Sequence, residues 1–314
     1  MQKWILLSLL SVFLLTACSD SDAVSNTNGD TSNETDSPVL VVTTIAQIAD
    51  VVENVGGDHV EVESLMGPGI DPHLYNAVQG DIEKLDNAEI IFYNGLHLEG
   101  QMYQVFEQME KEKPAIAVAE SIEESKLLSD PENPNIFDPH VWFDVTLWQD
   151  VVTTVRDELI ELDSENKKSY EKNAEVYLNE LQATEEYILD SIEQIPEESR
   201  VLVTAHDAFH YFGEKYGFEV VGLQGLSTES DYSTSDINNI VQLLMDRNIK
   251  GVFVESSISD RSIQAVIEGA KEKGQMVEIG GELFSDAMGE EGTEEGTYIG
   301  MLRHNINTIV ETLK

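Results

Sequence analysis

Short apolar runs alternate with amphipathic segments along most of the chain. Val39–Val42 is a β-branched run typical of buried strands in parallel sheets, and residues 45–55 then place apolar side chains at helical spacing. The same alternation restarts at residue 200. Strands that alternate with helices predict an α/β fold with parallel sheets. By the same criteria we expect further strands at 59–65, 89–93, 115–118, 200–204, 218–223, 251–255 and 276–279, and further helices at 81–85, 101–110, 207–216, 235–247, 260–273, 296–313 and from 146 onward.

A long segment without glycine or proline lies between the two alternating regions. Residues 165–195 are rich in Glu, Lys, Leu and Ala, and they carry apolar side chains at helical spacing. A single helix of about 30 residues would be a rod of roughly 45 Å, longer than a small domain is wide. We therefore expect two α/β lobes, 38–163 and 197–314, each with a parallel sheet, joined by one long backbone helix at 164–196.

The N-terminal residues follow a different pattern. Lys3 precedes the apolar stretch Trp4–Leu15, which is shorter than the roughly 20 residues that a bilayer-spanning helix needs. A positive charge followed by a short apolar stretch and small residues is typical of an export signal. We therefore predict that residues 1–17 are a signal peptide.

Cys18 is the only cysteine, and it ends the sequence Leu15-Thr16-Ala17-Cys18. This tetrapeptide resembles the lipobox of bacterial lipoproteins, although a cysteine can also follow an ordinary signal peptide by chance. Residues 18–37 are mostly Ser, Asp, Asn, Thr and Gly, so they lack the apolar surface needed to fold. We expect a lipid on Cys18, a flexible tether over 18–37, and an extracytoplasmic protein anchored to a bacterial cell membrane.

The charge of the chain excludes one class of partner. With 60 acidic and 18 basic residues, the formal net charge is −42. Such a surface repels phosphates, so we expect no binding to nucleic acid. It also raises the local concentration of cations, although solubility in a saline environment explains the charge equally well.

The tripeptide Asp-Pro-His occurs twice, at Asp71-Pro72-His73 and at Asp138-Pro139-His140, in a chain with only seven histidines. Proline fixes its own φ and pushes the preceding residue toward extended geometry, so each histidine follows a stiff, non-helical corner. Imidazole is the commonest metal ligand in proteins. The repeat therefore suggests that His73 and His140 share one metal site.

Two residues of the second lobe could complete such a site. His206 comes directly after the strand predicted at 200–204, and Asp286 follows the strand at 276–279 and a Gly280-Gly281 turn. Ligands of open α/β sheets bind at the carboxyl ends of strands. We therefore expect a divalent cation in the cleft between the lobes. The competing candidates are His210 for His206, and Glu282, Glu290 and Glu291 for Asp286.

Other residues could support the ligands. Metal-bound imidazoles usually donate their second N–H to a carboxylate or a carbonyl, and Glu255 at the end of a strand is a candidate for this role. Asp71 and Asp138 are candidates too, but a local Asx turn explains them equally well. We expect Trp142 to pack against or shield the site. His59, His97 and His304 are interpreted as structural or surface residues.

Taken together, these motifs resemble the cluster A-I (cluster 9) metal-binding lipoproteins, which are the solute-binding subunits of bacterial ABC importers for manganese and zinc. The resemblance spans residues 39–314 and includes Val203–Phe209, Phe253–Ser256 and Gly281–Asp286. It implies two lobes joined by a long helix, and an ABC permease with its ATPase as partners. We expect the protein to act as a monomer. The family's four ligand positions fall on His73, His140, His206 and Asp286.

The donor set suits several divalent metals, and such a site binds zinc more tightly than manganese in raw affinity. A bidentate Asp286 would raise the coordination number above four and favour manganese. Zinc-dedicated relatives often carry a histidine-rich loop before the second histidine, whereas residues 120–137 contain no histidine. We therefore expect Mn²⁺, with Zn²⁺ or Fe²⁺ as alternatives.

Two other classes of function stay open. A metal-dependent hydrolase needs an open coordination position and a general base. No HExxH motif is present, so we expect a binding protein and not an enzyme. A tethered lipoprotein could also serve in cell adhesion, although no sequence feature specifies a partner for it.

Overall fold

The computed structural model describes residues 37–130 and 133–314. The predicted signal peptide, the lipid on Cys18 and nearly all of the tether lie outside these residues. Within them, no helix is both long enough and apolar enough to cross a membrane.

The first lobe is a parallel sheet flanked by helices. Its four strands have the order β2-β1-β3-β4, and every neighbouring pair is parallel. The apolar run predicted at the start of the fold is the inner strand β1. The elements are β1 (Val39–Thr43), α1 (Ala46–Gly56), β2 (Val60–Ser64), α2 (Gln79–Asn87), β3 (Ile90–Tyr93), α3 (Tyr103–Met109) and β4 (Ala115–Ala117).

The second lobe repeats the alternation with a looser sheet. Its strands form two parallel pairs, β5 with β6 and β7 with β8, while β5 and β7 lie side by side. The predicted α/β class with parallel sheets is confirmed, but these strands are two ladders and not one continuous ladder. The elements are β5 (Val201–His206), α6 (His210–Tyr216), β6 (Glu219–Gln224), α7 (Thr234–Asp246), β7 (Gly251–Glu255), α8 (Arg261–Glu272), β8 (Glu278–Leu283) and α9 (Tyr298–Leu313).

Two helices connect the lobes. Helix α4 (Val145–Leu162) begins at Asp144, whose Oδ1 accepts a hydrogen bond from the Thr146 amide at 2.8 Å. Helix α5 (Lys167–Ile192) is the expected backbone helix, with 26 residues and a length of about 39 Å. It packs against α1, α4 and α9, so it forms a rigid support behind both lobes.

The C-terminal helix shares a core with the first lobe. One cluster of buried side chains runs from the first sheet through Trp142 and Trp148 to Tyr298 and Ile309 on α9. The Tyr298 hydroxyl donates to the Trp142 carbonyl oxygen at 2.6 Å. A second, smaller cluster lies among β5, β7, α7 and α8. Packing therefore links the loop that follows the second Asp-Pro-His to the end of the chain.

The Gly280-Gly281 pair is not the turn expected from the sequence, because β8 continues through it. The pairing with β7 shifts by one residue there, since Ile279 pairs with Val252 and Gly281 with Phe253. A Cβ atom on Gly280 would lie 2.3 Å from Cγ2 of Thr312, and one on Gly281 would lie 2.3 Å from Cγ2 of Thr308. These glycines therefore allow helix α9 to approach the strand closely, a second common use of glycine in a sheet.

Replacing Gly281 with alanine should lower the free energy of unfolding by about 1–3 kcal/mol, because the added methyl group has to push α9 away from β8. The matched control is Gly67→Ala, since no atom lies within 4 Å of a Cβ at that position. Urea unfolding of both variants measures the difference, and equal losses in the two would contradict the packing argument.

Candidate metal centre

The structure brings His73, His140, His206 and Asp286 together in one buried cluster. A potential ligand atom of each lies within 4.8 Å of the corresponding atom of every other member. The Nε2 atoms of His73 and His206 lie 3.6 Å and 3.2 Å from Asp286 Oδ2, and that of His140 lies 3.4 Å from Asp286 Oδ1. All four residues are at most 2% exposed. No other histidine, aspartate or glutamate of residues 37–130 and 133–314 joins this group.

The chemistry of the cluster fits a divalent cation. The three Nε2 atoms and both oxygens of Asp286 are buried, and none makes a well-formed hydrogen bond within the described parts of the chain. Buried polar atoms without partners are costly and rare in folded proteins. Five such atoms facing one another form a donor set of three imidazole nitrogens and two carboxylate oxygens, which first-row divalent metals accept.

Asp138 fixes the imidazole of His140. Its Oδ1 accepts a hydrogen bond from the His140 amide at 2.9 Å and lies 2.7 Å from Nδ1 of the same ring. Nδ1 therefore carries the proton and Nε2 points at Asp286. The two interpretations offered for Asp138 both hold, because one carboxylate forms the Asx turn and orients the ring.

Glu255 does the same for His206 from a distant part of the chain. Its Oε1 accepts hydrogen bonds from the amides of Ala205 and His206 at 2.8 and 2.9 Å, and its Oε2 lies 2.6 Å from Nδ1 of His206. The contact exists because β5 and β7 lie side by side and end at the same level. His206 is the last residue of β5, one step earlier than the loop position expected.

His73 is held differently from the other two histidines. Asp71 Oδ1 accepts a hydrogen bond from the His73 amide at 2.9 Å, as in an Asx turn. The carboxylate does not reach the ring, and no described side chain pairs with Nδ1 of His73. The second Asp71 oxygen instead accepts a 2.6 Å hydrogen bond from Oγ1 of Thr228 in the other lobe.

The segment that carries Asp286 is anchored to the first lobe. The Ser285 carbonyl oxygen accepts hydrogen bonds from Trp142 Nε1 at 3.1 Å and from Gln47 Nε2 at 3.5 Å. The indole ring also packs edge-on against His140, with 5.3 Å between ring centroids. Trp142 therefore packs against His140 and also positions the neighbour of Asp286.

Three residues that position the loop of His140, namely Thr44, Asn94 and Glu99, were missed in the sequence. Asn94 Nδ2 donates to the Pro139 carbonyl oxygen at 3.0 Å, next to His140. The buried Glu99 carboxylate accepts from the Asn94 amide at 2.8 Å and from Thr44 Oγ1 at 2.6 Å. Thr44 and Asn94 directly follow β1 and β3, so the rule that sites form at strand ends could have identified them.

The competing candidates lie outside the cluster. His210 makes contacts of 3.4 Å with Asp138 Oδ2 and 3.6 Å with Asp207 Oδ1. Among the acidic competitors, Glu282 has its backbone carbonyl oxygen 3.0 Å from Nε2 of His304. Glu290 and Glu291 are likewise absent from the group of converging ligand atoms.

Burial and neighbouring charges shift the pKa values of the four clustered residues in different directions. Burial lowers the pKa of His73 to about 3. Burial also opposes the charging of His140 and His206, but the adjacent carboxylates outweigh it and raise the pKa of His140 to about 9 and that of His206 well above its ordinary value. Burial would raise the pKa of Asp286, yet the neighbouring imidazoles hold it well below its usual range. Before a metal binds, the cluster therefore favours the cationic form of His140 and His206, with a proton on both ring nitrogens, and the neutral form of His73.

Comparison with known proteins gives a consistent set of relatives. The manganese-binding lipoprotein MntA of Bacillus subtilis (strain 168) is 51% identical over 306 residues, which cover 98% of this chain and 97% of the relative. The zinc-binding protein TroA of Treponema pallidum (strain Nichols) is 47% identical over 278 residues, covering 88% of this chain and 90% of TroA.

Solved structures agree with these sequence relationships. The periplasmic zinc binding protein TroA from Treponema pallidum superposes with a TM-score of 0.86 over 88% of this chain and 99% of its own. The Mn-bound periplasmic metal binding protein from Candidatus Liberibacter asiaticus, 28% identical, gives 0.77 over 88% of this chain and 100% of its own. The profile of the family described as "Zinc-uptake complex component A periplasmic" matches residues 41–312. The chain therefore belongs to this family, which confirms its resemblance to the metal-binding subunits of ABC importers.

Proposed function

We propose that this protein captures a divalent transition metal outside the cytoplasm and delivers it to an ABC permease for import. The ligands are His73, His140, His206 and Asp286. The observation that carries the proposal is the convergence of three imidazole nitrogens and two carboxylate oxygens, all buried, at a point where both lobes contribute donors. Metal reaches the cleft from solvent, exchanges its water for these donors, and leaves when the protein docks on the permease.

Manganese is the proposed cargo, with zinc or iron(II) as alternatives. Both oxygens of Asp286 face imidazoles, at 3.2–3.6 Å from their Nε2 atoms. A bidentate carboxylate with three imidazoles gives five donors, which exceeds the tetrahedral set of most zinc sites. The name of the 51% identical relative from Bacillus subtilis specifies manganese, and this supports the same choice here. The zinc-binding TroA, at 47% identity, keeps zinc as the alternative.

The four side chains leave little room for catalysis. A catalytic metal keeps one position open for water or substrate, whereas here every donor residue is at most 2% exposed. This burial supports a binding role over an enzymatic one, as does the relative from Streptococcus sanguinis named a metal ABC transporter substrate-binding lipoprotein.

The remaining parts of the proposal concern location and partners. Relatives named lipoproteins support a lipid on Cys18 and an extracytoplasmic, membrane-anchored protein. We propose that the monomer carries its metal to a permease driven by an ATPase. We also propose lobe boundaries at 38–163 and 197–314, with the connecting helix at 164–196.

Metal analysis of the purified protein tests the function, and the growth of cells that lack the gene tests the ion. Protein prepared without added metal should contain about one divalent ion per chain, measured by native mass spectrometry and elemental analysis. In competition at equal free concentrations the protein should bind more zinc than manganese, because raw affinity follows the Irving–Williams order.

Cells that lack the gene should grow poorly when manganese is scarce, and added Mn²⁺ should restore their growth whereas added Zn²⁺ should not. Protein that binds neither ion would contradict the function, and rescue by zinc alone would contradict the choice of manganese.

A further inference from the structure

The three histidines of the cluster are not secured equally. Buried carboxylates lie 2.7 Å and 2.6 Å from the Nδ1 atoms of His140 and His206, and His206 belongs to a strand. Among residues 37–130 and 133–314, no carboxylate pairs with Nδ1 of His73, and His73 lies on an irregular loop between β2 and α2. A ligand whose ring has no oriented support is the easiest to withdraw from a metal.

The loop that carries His73 is also the outer wall of the cluster. His73 itself is 2% exposed, but the next residue, Leu74, is 51% exposed, and Ile70 is 39% exposed. By contrast, His140 and the side chains that follow it at 141–143 are buried. Ile70 and Leu74 belong to neither hydrophobic core, whereas Tyr75 and Ala77 pack against the first. Outward movement of residues 70–74 alone would therefore connect the cluster to solvent and leave both cores in place.

One hydrogen bond fixes this loop to the opposite lobe. Thr228 lies in the connection between β6 and α7, is 9% exposed, and donates from Oγ1 to Asp71 Oδ2 at 2.6 Å. The other oxygen of the same carboxylate accepts from the His73 amide. Thr228, Asp71 and the His73 backbone thus form a continuous chain from the second lobe to a ligand of the first.

We propose that Thr228 is a positioning residue that acts as a latch on metal exchange, holding the His73 loop closed through Asp71. The inference rests on the proposed function, since it concerns the route by which that metal enters and leaves. Exchange occurs when the Thr228–Asp71 hydrogen bond breaks, the loop swings outward, and His73 leaves the metal before the two carboxylate-supported histidines do.

The latch predicts a distinctive kinetic signature. The hydrogen bond involves no ligand atom, so it can form in both the metal-free and the metal-loaded protein, and it is broken only in the open state through which exchange passes. Its removal therefore lowers the barrier from both sides, so uptake and release accelerate together while the affinity changes less. A change that only damaged the site would instead weaken affinity without faster uptake.

The test is stopped-flow exchange on the full-length protein with Mn²⁺ and Zn²⁺, using EDTA to trap released metal. Thr228→Val keeps the shape of the side chain and should speed release by roughly tenfold or more, the effect of losing one hydrogen bond to a charged group. Thr228→Ser retains a hydroxyl and should restore slow release. Gln101→Ala is the matched control, because the Gln101–Glu229 hydrogen bond also crosses between the lobes, at the residue next to Thr228, but involves neither Asp71 nor His73.

The outcomes separate the latch from the proposed function. Wild-type protein that binds neither ion overturns the proposed function. Tight binding with an unchanged rate of metal exchange in Thr228→Val, or equal acceleration in Gln101→Ala, overturns the latch alone.

Amide hydrogen exchange on metal-loaded wild-type protein provides a test without any variant. Amides at 70–74 should exchange faster than those at 138–143 and 203–207, and equal protection would overturn the proposal.

Discussion

Replacing His140 with alanine should weaken the binding of Mn²⁺ and Zn²⁺ by roughly a hundredfold or more. Structural zinc sites have apparent binding free energies on the order of 10–16 kcal/mol, and here only four side chains would share the binding free energy of the metal. His140 is fully buried, and its Nε2 lies 3.4 Å from Asp286 Oδ1. Its removal therefore takes away one of the buried nitrogen donors of the cluster. Isothermal titration calorimetry with a competing chelator measures the loss.

A matched histidine is available as the control. His97 is exposed, lies outside the cluster, and has a left-handed backbone with φ 67°. Asparagine tolerates that conformation better than alanine does, so His97→Asn removes an imidazole without straining the loop. Its affinity for both metals should equal that of the wild-type protein. An His140→Ala variant that also binds like the wild type would contradict the ligand assignment.

The fold of His140→Ala needs a separate check. The substitution leaves the buried carboxylates of Asp138 and Asp286 without one of their cationic partners, and breaking a buried ion pair can cost about 3–5 kcal/mol. Circular dichroism and urea unfolding of the metal-free variant report this cost. If the variant does not fold, Asp286→Asn preserves shape and should give a comparable loss of affinity.

The sequence predicted which four residues converge better than it predicted the contacts that position them. His206 and Asp286 could be placed because both lie at or just past the carboxyl end of a strand, and the carboxyl ends of parallel strands meet at one edge of a sheet. His73 and His140 could be grouped because they share a rare local motif. These are rules about short segments, and they apply before any tertiary contact is known.

The contacts that hold the cluster in shape obey no such rule. Thr228 reaches Asp71 across 157 positions of sequence, and Trp142 reaches the Ser285 carbonyl across 143. Such pairs depend on how the two lobes are placed against each other. Neither hydrophobic periodicity nor a local motif encodes that placement, so Thr228 carried no signal in the sequence.

Glycine illustrates a related ambiguity. Two adjacent glycines usually punctuate a chain, and the Gly280-Gly281 pair was therefore interpreted as a turn. The structure uses the pair within a strand because Thr308 and Thr312 of α9 occupy the space of the missing side chains. A single sequence does not show whether a glycine serves a turn or the close approach of a neighbouring helix, since the missing Cβ atom permits both.

The affinity for metal should rise steeply with pH, and it should continue to rise above pH 7. Ligation requires Nε2 of each histidine without a proton. An unperturbed imidazole has lost its proton above about pH 6.5, so its contribution would level off there. Here the carboxylates outweigh burial, raise the pKa of His140 to about 9 and hold that of His206 well above its ordinary value. Near neutral pH an incoming metal therefore displaces about two protons, and His73, with its lowered pKa, contributes none.

Two measurements check this linkage. Displacement of two protons changes the apparent affinity by about a hundredfold per pH unit, and calorimetry in buffers of different ionisation enthalpy counts the protons directly. The slope should decrease above pH 9, where His140 has already lost its proton. No proton release at pH 7.5, or an affinity that is constant from pH 7 to 8.5, would contradict the proposed protonation of the metal-free cluster.

Thermal stability should follow the same titration with a definite sign. Because the pKa of His140 is raised in the folded protein, its stabilising effect is fully present below its ordinary value of 6.5 and is lost as the pH rises through about 9. The metal-free protein should thus become less stable between these values. In the metal-loaded protein the metal has already replaced the proton on Nε2 of His140, so the stability of this form stays nearly constant over the same range. The difference in Tm between the metal-loaded and metal-free forms therefore widens as the pH rises. A difference that narrows over this range would show that metal and proton do not compete for the same nitrogen, and would remove His140 from the ligand set.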